Sequence, residues 1–253
     1  MSALFVGLIV FACTFGGALV GIVLHRKLPE HHRDADAKDV VKLVMGLIAT
    51  IAALVLSLLI ATAHSSYDTQ ESEVQALGVH IVQLDAILAH YGPDAQEARG
   101  LLRQIVVAQL NRIWPDDGAA NVNLRAPMER DAGEKLRERI ADLSATTDGQ
   151  RFAKNRALQL ITEMGETRGL LFEQAGGSLS WPFFVILVFW VVMLFVGFGF
   201  LTRSNATVLA ALFVGALSVA GAIFLILEMN RPYSGLMKIS SAPIRSALAA
   251  IGP

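Results

Sequence analysis

The sequence is poor in cysteine and in charged residues, and each shortage excludes a class of protein. Its 253 residues include one cysteine, Cys13, which lies in an apolar run, so neither a disulfide within the chain nor a cysteine metal cluster can form. Charged residues make up 17% of the chain and the net charge is −1, whereas about a quarter of a globular protein is usually charged. A chain without excess positive charge is not expected to bind nucleic acid.

The sequence also lacks the short motifs by which many enzymes hold phosphate or metal. It contains no phosphate-binding glycine loop, no nucleophile elbow and no HExxH zinc helix. His31 and His32 could bind a metal together with Glu30 and Asp34, but a solvated polar turn is the favoured interpretation because adjacent helical residues point in different directions. We therefore expect no enzymatic activity, no cofactor and no metal site.

Hydrophobic residues, 54% of the chain, are concentrated in four long blocks. A helix needs roughly 20 residues to cross about 30 Å of hydrocarbon, and each block is that long. Transmembrane helices are predicted over residues 2–24, 40–63, 181–201 and 206–227. A cleaved signal peptide is the alternative for the first block. A retained span is favoured, because no basic residue precedes that block and Arg26 and Lys27 follow it.

The distribution of basic residues predicts the orientation in the membrane. The predicted polar loop 25–39 contains Arg26, Lys27, Arg33 and Lys38, and the predicted turn 202–205 contains Arg203. By the positive-inside rule both short loops are cytoplasmic. Both termini and residues 64–180 would then be periplasmic in a bacterial inner membrane, although basic residues in the tail 228–253 count against this orientation.

Residues 64–180 have the apolar periodicity of helices and more acidic than basic side chains. Val74, Leu77, Ile81, Leu84 and Leu88 are spaced by three and four residues, as along a helix seam. The second span is therefore predicted to continue as one helix until Tyr91-Gly92-Pro93. Further helices are predicted over 94–114, 129–143 and 150–174. The predicted fold is an all-α integral membrane protein: four transmembrane helices, with a helical-bundle extramembrane domain between spans two and three.

The predicted spans contain no Asp, Glu, Arg or His. This counts against a proton-driven transporter, which needs such residues. Small residues instead recur at the spacing of helix contacts. Such residues pack helices either within one chain or between subunits. The packing candidates are Gly17, Gly21, Ala49, Ala211 and Gly215. Four spans are few for a pore, so a pore would lie on a symmetry axis between subunits. The candidate pore-lining residues are Thr50, Ala53, Ser57 and Ala61.

The tail 228–253 begins with a polar motif and is predicted to contain an amphipathic helix over 236–250. The motif residues are Glu228, Arg231, Pro232, Tyr233 and Gly235. Glu228 and Arg231 are three residues apart, the spacing of a pair that caps a helix end. The alternative is a charged collar at a pore mouth. Pro232 and Gly235 predict a turn at the membrane surface.

Four sequence features are similar to those of a known family. They are Leu28-Pro29 before His31-His32, the second span entering Ala63-His64, Tyr91-Gly92-Pro93 before Ala98-Arg99, and the tail from Glu228 to Leu236. The tail matches an Asp/Glu-x-x-Arg-Pro-aromatic-x-Gly signature. The chain therefore resembles the bestrophin-like domain family of bacterial membrane proteins. The resemblance implies a distant likeness to bestrophin anion channels, which are pentamers with a pore on the symmetry axis. No acidic cluster that would bind calcium is identifiable, so the resemblance does not imply calcium gating. Nor does it match individual residues of this chain to residues that select anions.

Two functions from different classes remain open at this point. The first is a homo-oligomeric ion channel of the bacterial inner membrane, a pentamer by analogy. Its partners would be the lipid bilayer, further copies of the chain and inorganic ions, with anions implied by the resemblance. The alternative is a non-conducting membrane scaffold or sensor that acts through its extramembrane helical domain.

Overall fold

The computed structural model describes residues 2–27, 35–114, 128–174, 181–202 and 205–252. Within these ranges the regular structure is helical and contains no strand, which confirms the predicted all-α class. The helices are α1 (Ala3–Lys27), α2 (Ala35–Tyr91), α3 (Gln96–Ile113), α4 (Met128–Ala141), α5 (Asp148–Gln174), α6 (Trp181–Leu201), α7 (Ala206–Met229) and α8 (Ala242–Ala250). A 3₁₀ turn, Pro93–Ala95, precedes α3. The predictions about residues 28–34 and Arg203 lie outside the described residues.

Helix α2 is a single helix of 57 residues, as the apolar periodicity predicts. No proline interrupts it, and it begins five residues before the predicted start of the second span. It ends at Tyr91 because Gly92 adopts a φ of +119°, a conformation that glycine reaches without strain, and Pro93 follows. The predicted continuation of this helix to Tyr91-Gly92-Pro93 is confirmed.

The described residues include four helices that are long and apolar enough to cross a membrane: α1, the apolar part of α2, α6 and α7. They lie in the first of two compact units, which comprises Met1–Ser66 and Ser178–Asn230. One apolar cluster joins α1, α2, α6 and α7 through residues such as Ala18, Ala52, Leu187 and Ala216.

The second unit comprises Tyr67–Gly177 and Arg231–Pro253. Its core contains Val74, Ile81, Leu84 and Leu88 of α2, with Leu77 partly buried against them, so the predicted seam is confirmed. The other core residues come from the following helices and from the tail: Leu102 and Val106 of α3, Ile140 of α4, Leu160 of α5, and Ile239, Ile244 and Ile251. The sequence did not predict that the tail packs in this unit.

The tail helix is shorter than the predicted 236–250. Helix α8 begins at Ala242, with Pro243 in its first turn. The preceding residues form turns because Gly235 has a φ of +101° and Pro232 cannot donate a backbone hydrogen bond. The carbonyl of Pro232 accepts a hydrogen bond from the backbone N–H of Ile239 at 2.8 Å, which closes this turn.

Candidate functional site

One face of α2 carries small side chains that no other part of the same unit covers. Thr50, Ala53, Ser57 and Ala61 are all exposed in the single chain. At 100° per residue they fall within a narrow arc of the helix. The face of α2 that does pack within the unit contains Met45 and Ala52. We call the exposed set, together with Gly46, the small face.

Gly46 belongs to the small face but was missed in the sequence. A Cβ added at Gly46 would meet no atom within 4 Å, so this position is open. The sequence feature that would have identified Gly46 is its spacing of four residues from Thr50. The hydroxyl of Thr50 donates a hydrogen bond to the carbonyl oxygen of Gly46 at 2.9 Å. The Thr50 oxygen therefore presents acceptor capacity to its surroundings.

The other predicted packing residues occupy different environments. Gly17 and Gly21 are buried in α1. A Cβ on Gly17 would lie 3.2 Å from the carbonyl oxygen of Val192, and one on Gly21 would collide with the main chain of α6. Ala49 is half-buried and Ala211 is exposed. A Cβ on Gly215 would lie 3.4 Å from Cζ of Phe195, so that glycine faces a ring and not a backbone.

Residues 231–235 of the tail motif form a turn in the second unit. The backbone N–H of Ser234 donates to the carbonyl of Arg231 at 3.0 Å. The ring of Tyr233 packs edge-on against Trp114 with centroids 6.0 Å apart, and Nε1–H of Trp114 donates to the carbonyl of Ile239 at 2.8 Å. Burial, with a smaller contribution from the charge of Glu73, raises the pKa of Tyr233 above its ordinary value.

The two charged members of the tail motif differ in exposure. Glu228, in the last turn of α7, is buried with 4% of its surface exposed. Arg231 is exposed. Their pairing as a helix cap, or their role as a collar at a pore mouth, stays a prediction.

Arg99, part of the pattern that resembles the bestrophin-like family, makes a forked ion pair with Asp85. Nε and Nη2 of Arg99 donate to the two carboxylate oxygens at 2.8 and 2.9 Å. The side chain of Asp85 is 11% exposed and that of Arg99 is 30% exposed. The hydrogen bond to Asp85 raises the pKa of Arg99, opposed by partial burial. This pair joins α2 to α3, so its visible role is to hold the second unit together.

Among the described residues no group of three His, Cys, Asp or Glu side chains could hold a metal ion.

The sequence model of the Bestrophin-like domain matches residues 12–244. The chain belongs to the Bestrophin-like domain family. The resemblance inferred from the tail motif is thereby confirmed. Family membership and four apolar helices also make the chain a membrane protein.

The fold is shared with a bacterial bestrophin homolog. A crystal structure of a point mutant of a bestrophin homolog from Klebsiella pneumoniae is similar over 96% of this chain and 97% of that chain, with a TM-score of 0.70. The two sequences are 10% identical, so the likeness establishes a common fold alone. No curated protein matches the chain.

Proposed function

We propose that this family member assembles into a homo-oligomeric ion channel of the bacterial inner membrane. The pore lies on the symmetry axis between subunits and is walled by the small face of α2. The permeant species are inorganic ions, with anions suggested by the family's likeness to bestrophins. A pentamer follows from the same analogy.

The low burial of α2 carries the proposal. In its most apolar stretch 11% of the residues are buried within the chain, against 28–33% in the other three candidate spans. A helix with so little packing inside its own chain has the most surface available to other copies. In a membrane, helix contacts are enriched in small residues, because these let backbones approach closely. The small face is therefore better suited to a contact or a pore than to lipid.

The residues beside the small face support the same assignment. Leu54 and Leu58, which are 68% and 64% exposed, lie beside it on one side of the helix, whereas Leu43, 76% exposed, lies in the same direction as Ala61 nearer the start of the span. Large apolar side chains are suited to lipid or to subunit contacts. From Gly46 to Ala61 the small face leaves room for water and offers hydroxyls at Thr50 and Ser57. Because the Thr50 hydroxyl donates within its own helix, it offers an acceptor and not a donor to a passing ion.

We also propose the orientation predicted from charge. The loop 25–39 and the turn 202–205 lie in the cytoplasm, and both termini and residues 64–180 lie in the periplasm. The basic pair Arg26 and Lys27 at the end of α1 supports this orientation by the positive-inside rule. The helical bundle inserted between spans two and three then projects into the periplasm.

Cysteine accessibility in single-channel recordings tests the pore assignment. Cys13 is the chain's one cysteine, so a Cys13→Ser background is free of thiols. In that background Ser57→Cys changes one atom on the small face. Leu58→Cys is the matched control, because it lies at nearly the same depth but about 100° around the helix. The purified protein is recorded in planar bilayers, with cationic and anionic methanethiosulfonate reagents added.

We expect unitary currents from the background protein, and a stepwise loss of current when the Ser57→Cys channel is modified. The Leu58→Cys channel should be unaffected. Block only by the anionic reagent, with a matching reversal potential, would identify an anion pore. Equal modification at both positions would refute the pore assignment. Silence from folded, oligomeric protein would refute conduction and favour the scaffold or sensor.

A further inference from the structure

The part of α2 that belongs to the second unit has an exposed face without charge. Every exposed residue of this helix from Ser72 to Ala89 is uncharged. Six of them are spaced by three and four residues, like the core seam from Val74 to Leu88, but at 100° per residue they fall on roughly the opposite side of the helix. These six residues form the uncharged α2 face, which is about 25 Å long: Ser72, Gln75, Val79, Val82, Ala86 and Ala89.

A second uncharged face lies on α3, opposite the buried side of that helix. After Glu97 no exposed residue of α3 is charged. Arg99 and Arg103 are partly buried and engaged, because Arg99 pairs with Asp85 and Arg103 donates to the carbonyl of Gly252 at 3.0 Å. The uncharged α3 face has the same spacing by four and three residues and comprises Gly100, Gln104, Val107 and Asn111.

A solvated helix face in the same unit has a different composition. On α4 every exposed residue from Glu134 to Arg139 is charged. On α2 and α3, by contrast, Val79, Val82 and Val107 are 54%, 38% and 36% exposed. The centre of a contact between proteins is depleted of charged residues. The two uncharged faces therefore have the composition of a buried contact.

Two features indicate that the partner is a second copy of the chain. A ring of more than two subunits needs two different contact surfaces on each subunit, and the α2 and α3 faces supply two with the same helical spacing. The uncharged α2 face also continues the small face, because at 100° per residue both fall in the same arc of one unbroken helix. The covered side is likewise the same along α2, with Met45 and Ala52 in the first unit and Leu84 in the second.

We propose that the uncharged α2 face of one copy packs against the uncharged α3 face of the next copy, outside the membrane. Neither face contains a charged side chain, so the contact buries no unpaired charge. The hydroxyl of Ser72 already donates to the carbonyl of Thr69 at 2.7 Å, so its proton needs no new acceptor. The inference rests on the proposed homo-oligomer, but it does not require that the oligomer conducts ions.

Cysteine labelling of the purified oligomer tests this packing. Each variant is made in the Cys13→Ser background, kept in mild detergent and treated with N-ethylmaleimide, and mass spectrometry follows the rate of labelling. Val79→Cys and Val107→Cys report on the two faces. Phe152→Cys is the control, because Phe152 lies on α5, is 74% exposed and belongs to neither face. Val79→Lys, with Phe152→Lys as its control, places an ammonium group in the proposed contact. Native mass spectrometry gives the oligomeric mass of every variant.

We expect Val79→Cys and Val107→Cys to be labelled about tenfold or more slowly relative to Phe152→Cys, although all three positions are exposed in the single chain. Val79→Lys should raise the protein concentration at which the oligomer dissociates by about tenfold or more, and Phe152→Lys should match the native protein. Fast labelling at either face of an intact oligomer would overturn the proposal, as would unchanged dissociation of Val79→Lys.

The remaining outcomes separate this contact from the proposed channel. Faces that are labelled quickly in the purified oligomer but slowly in native membranes would belong to a different protein, which overturns the proposal. A monomeric native mass would refute both the homo-oligomer and the contact. Protected faces in an oligomer that passes no current would support the contact and refute conduction alone.

Discussion

The contact between α1 and α6 at Gly21 should not tolerate a single added methyl group. A Cβ on Gly21 would collide with the carbonyl oxygen of Val196 and would lie 2.9 Å from both the carbonyl carbon of Val196 and the amide nitrogen of Phe200. These are main-chain atoms, so no side-chain rotation can relieve the overlap. The two helices must separate or tilt. Overpacking of this kind typically costs about 1–3 kcal/mol, and we expect the upper part of that range for Gly21→Ala.

Gly16→Ala is the matched control on the same helix. A Cβ at Gly16 would meet no atom within 4 Å. Alanine is about 0.8–1.0 kcal/mol more favourable than glycine inside a helix. The control should therefore be as stable as the native protein or slightly more stable. The two variants should differ by about 3 kcal/mol, which is roughly a hundredfold in the unfolding equilibrium constant.

Unfolding in mixed micelles with increasing sodium dodecyl sulfate measures this difference. Trp190, which is partly buried against the core of the first unit, provides a fluorescence signal on α6. The Gly21→Ala protein should unfold at a lower detergent fraction than the Gly16→Ala protein. Unfolding free energies within about 0.5 kcal/mol of each other would refute the close approach of α1 and α6 at Gly21.

Two further predictions concern the second unit. Leu84 is fully buried, so Leu84→Ala should lower the free energy of unfolding, measured by chemical denaturation, by about 2–5 kcal/mol. Val82→Ala, at a position 38% exposed, should lower it far less. Similar losses in the two variants would contradict the assigned core. Burial raises the pKa of Tyr233 above 10.0 in the folded protein. The contribution of the neutral Tyr233 side chain to folding stability is therefore complete below pH 10 and is lost as the pH rises further. The free energy of unfolding of the native protein should be lower at pH 11 than at pH 9 by up to about 1.4 kcal/mol from this residue. Tyr233→Phe should lack that part of the loss, and equal losses in both proteins would show that Tyr233 ionises freely.

The sequence identified features that depend on residues close together in the chain. The four apolar helices follow from block length and hydropathy, since a span must cover the hydrocarbon by itself. The seam from Val74 to Leu88 follows from its spacing by three and four residues, and the end of α2 follows from Gly92 and Pro93. The family follows from the tail motif, which the Bestrophin-like domain match over residues 12–244 confirms.

The candidate site was only partly predictable. The spacing of Thr50, Ala53, Ser57 and Ala61 identified a small face, but small residues also line helix contacts within one chain, and nothing local separates the two cases. Gly17 and Gly21 are buried against α6, whereas Ala211 is exposed on α7, although all three belong to similar spacing patterns. Which stripe is covered depends on which helices are neighbours and how closely they approach.

The sequence by itself therefore determined that this is an all-helical membrane protein of the Bestrophin-like domain family, because hydropathy, helical period and local motifs are properties of short segments. Only the tertiary structure decided that the small face of α2 is left open, that the tail packs with Tyr67–Gly177, and that the main chains of α1 and α6 come into close contact at Gly21. Those outcomes depend on contacts between residues far apart in the chain. Their energies arise from shape and packing, which the order of residues along one segment does not encode.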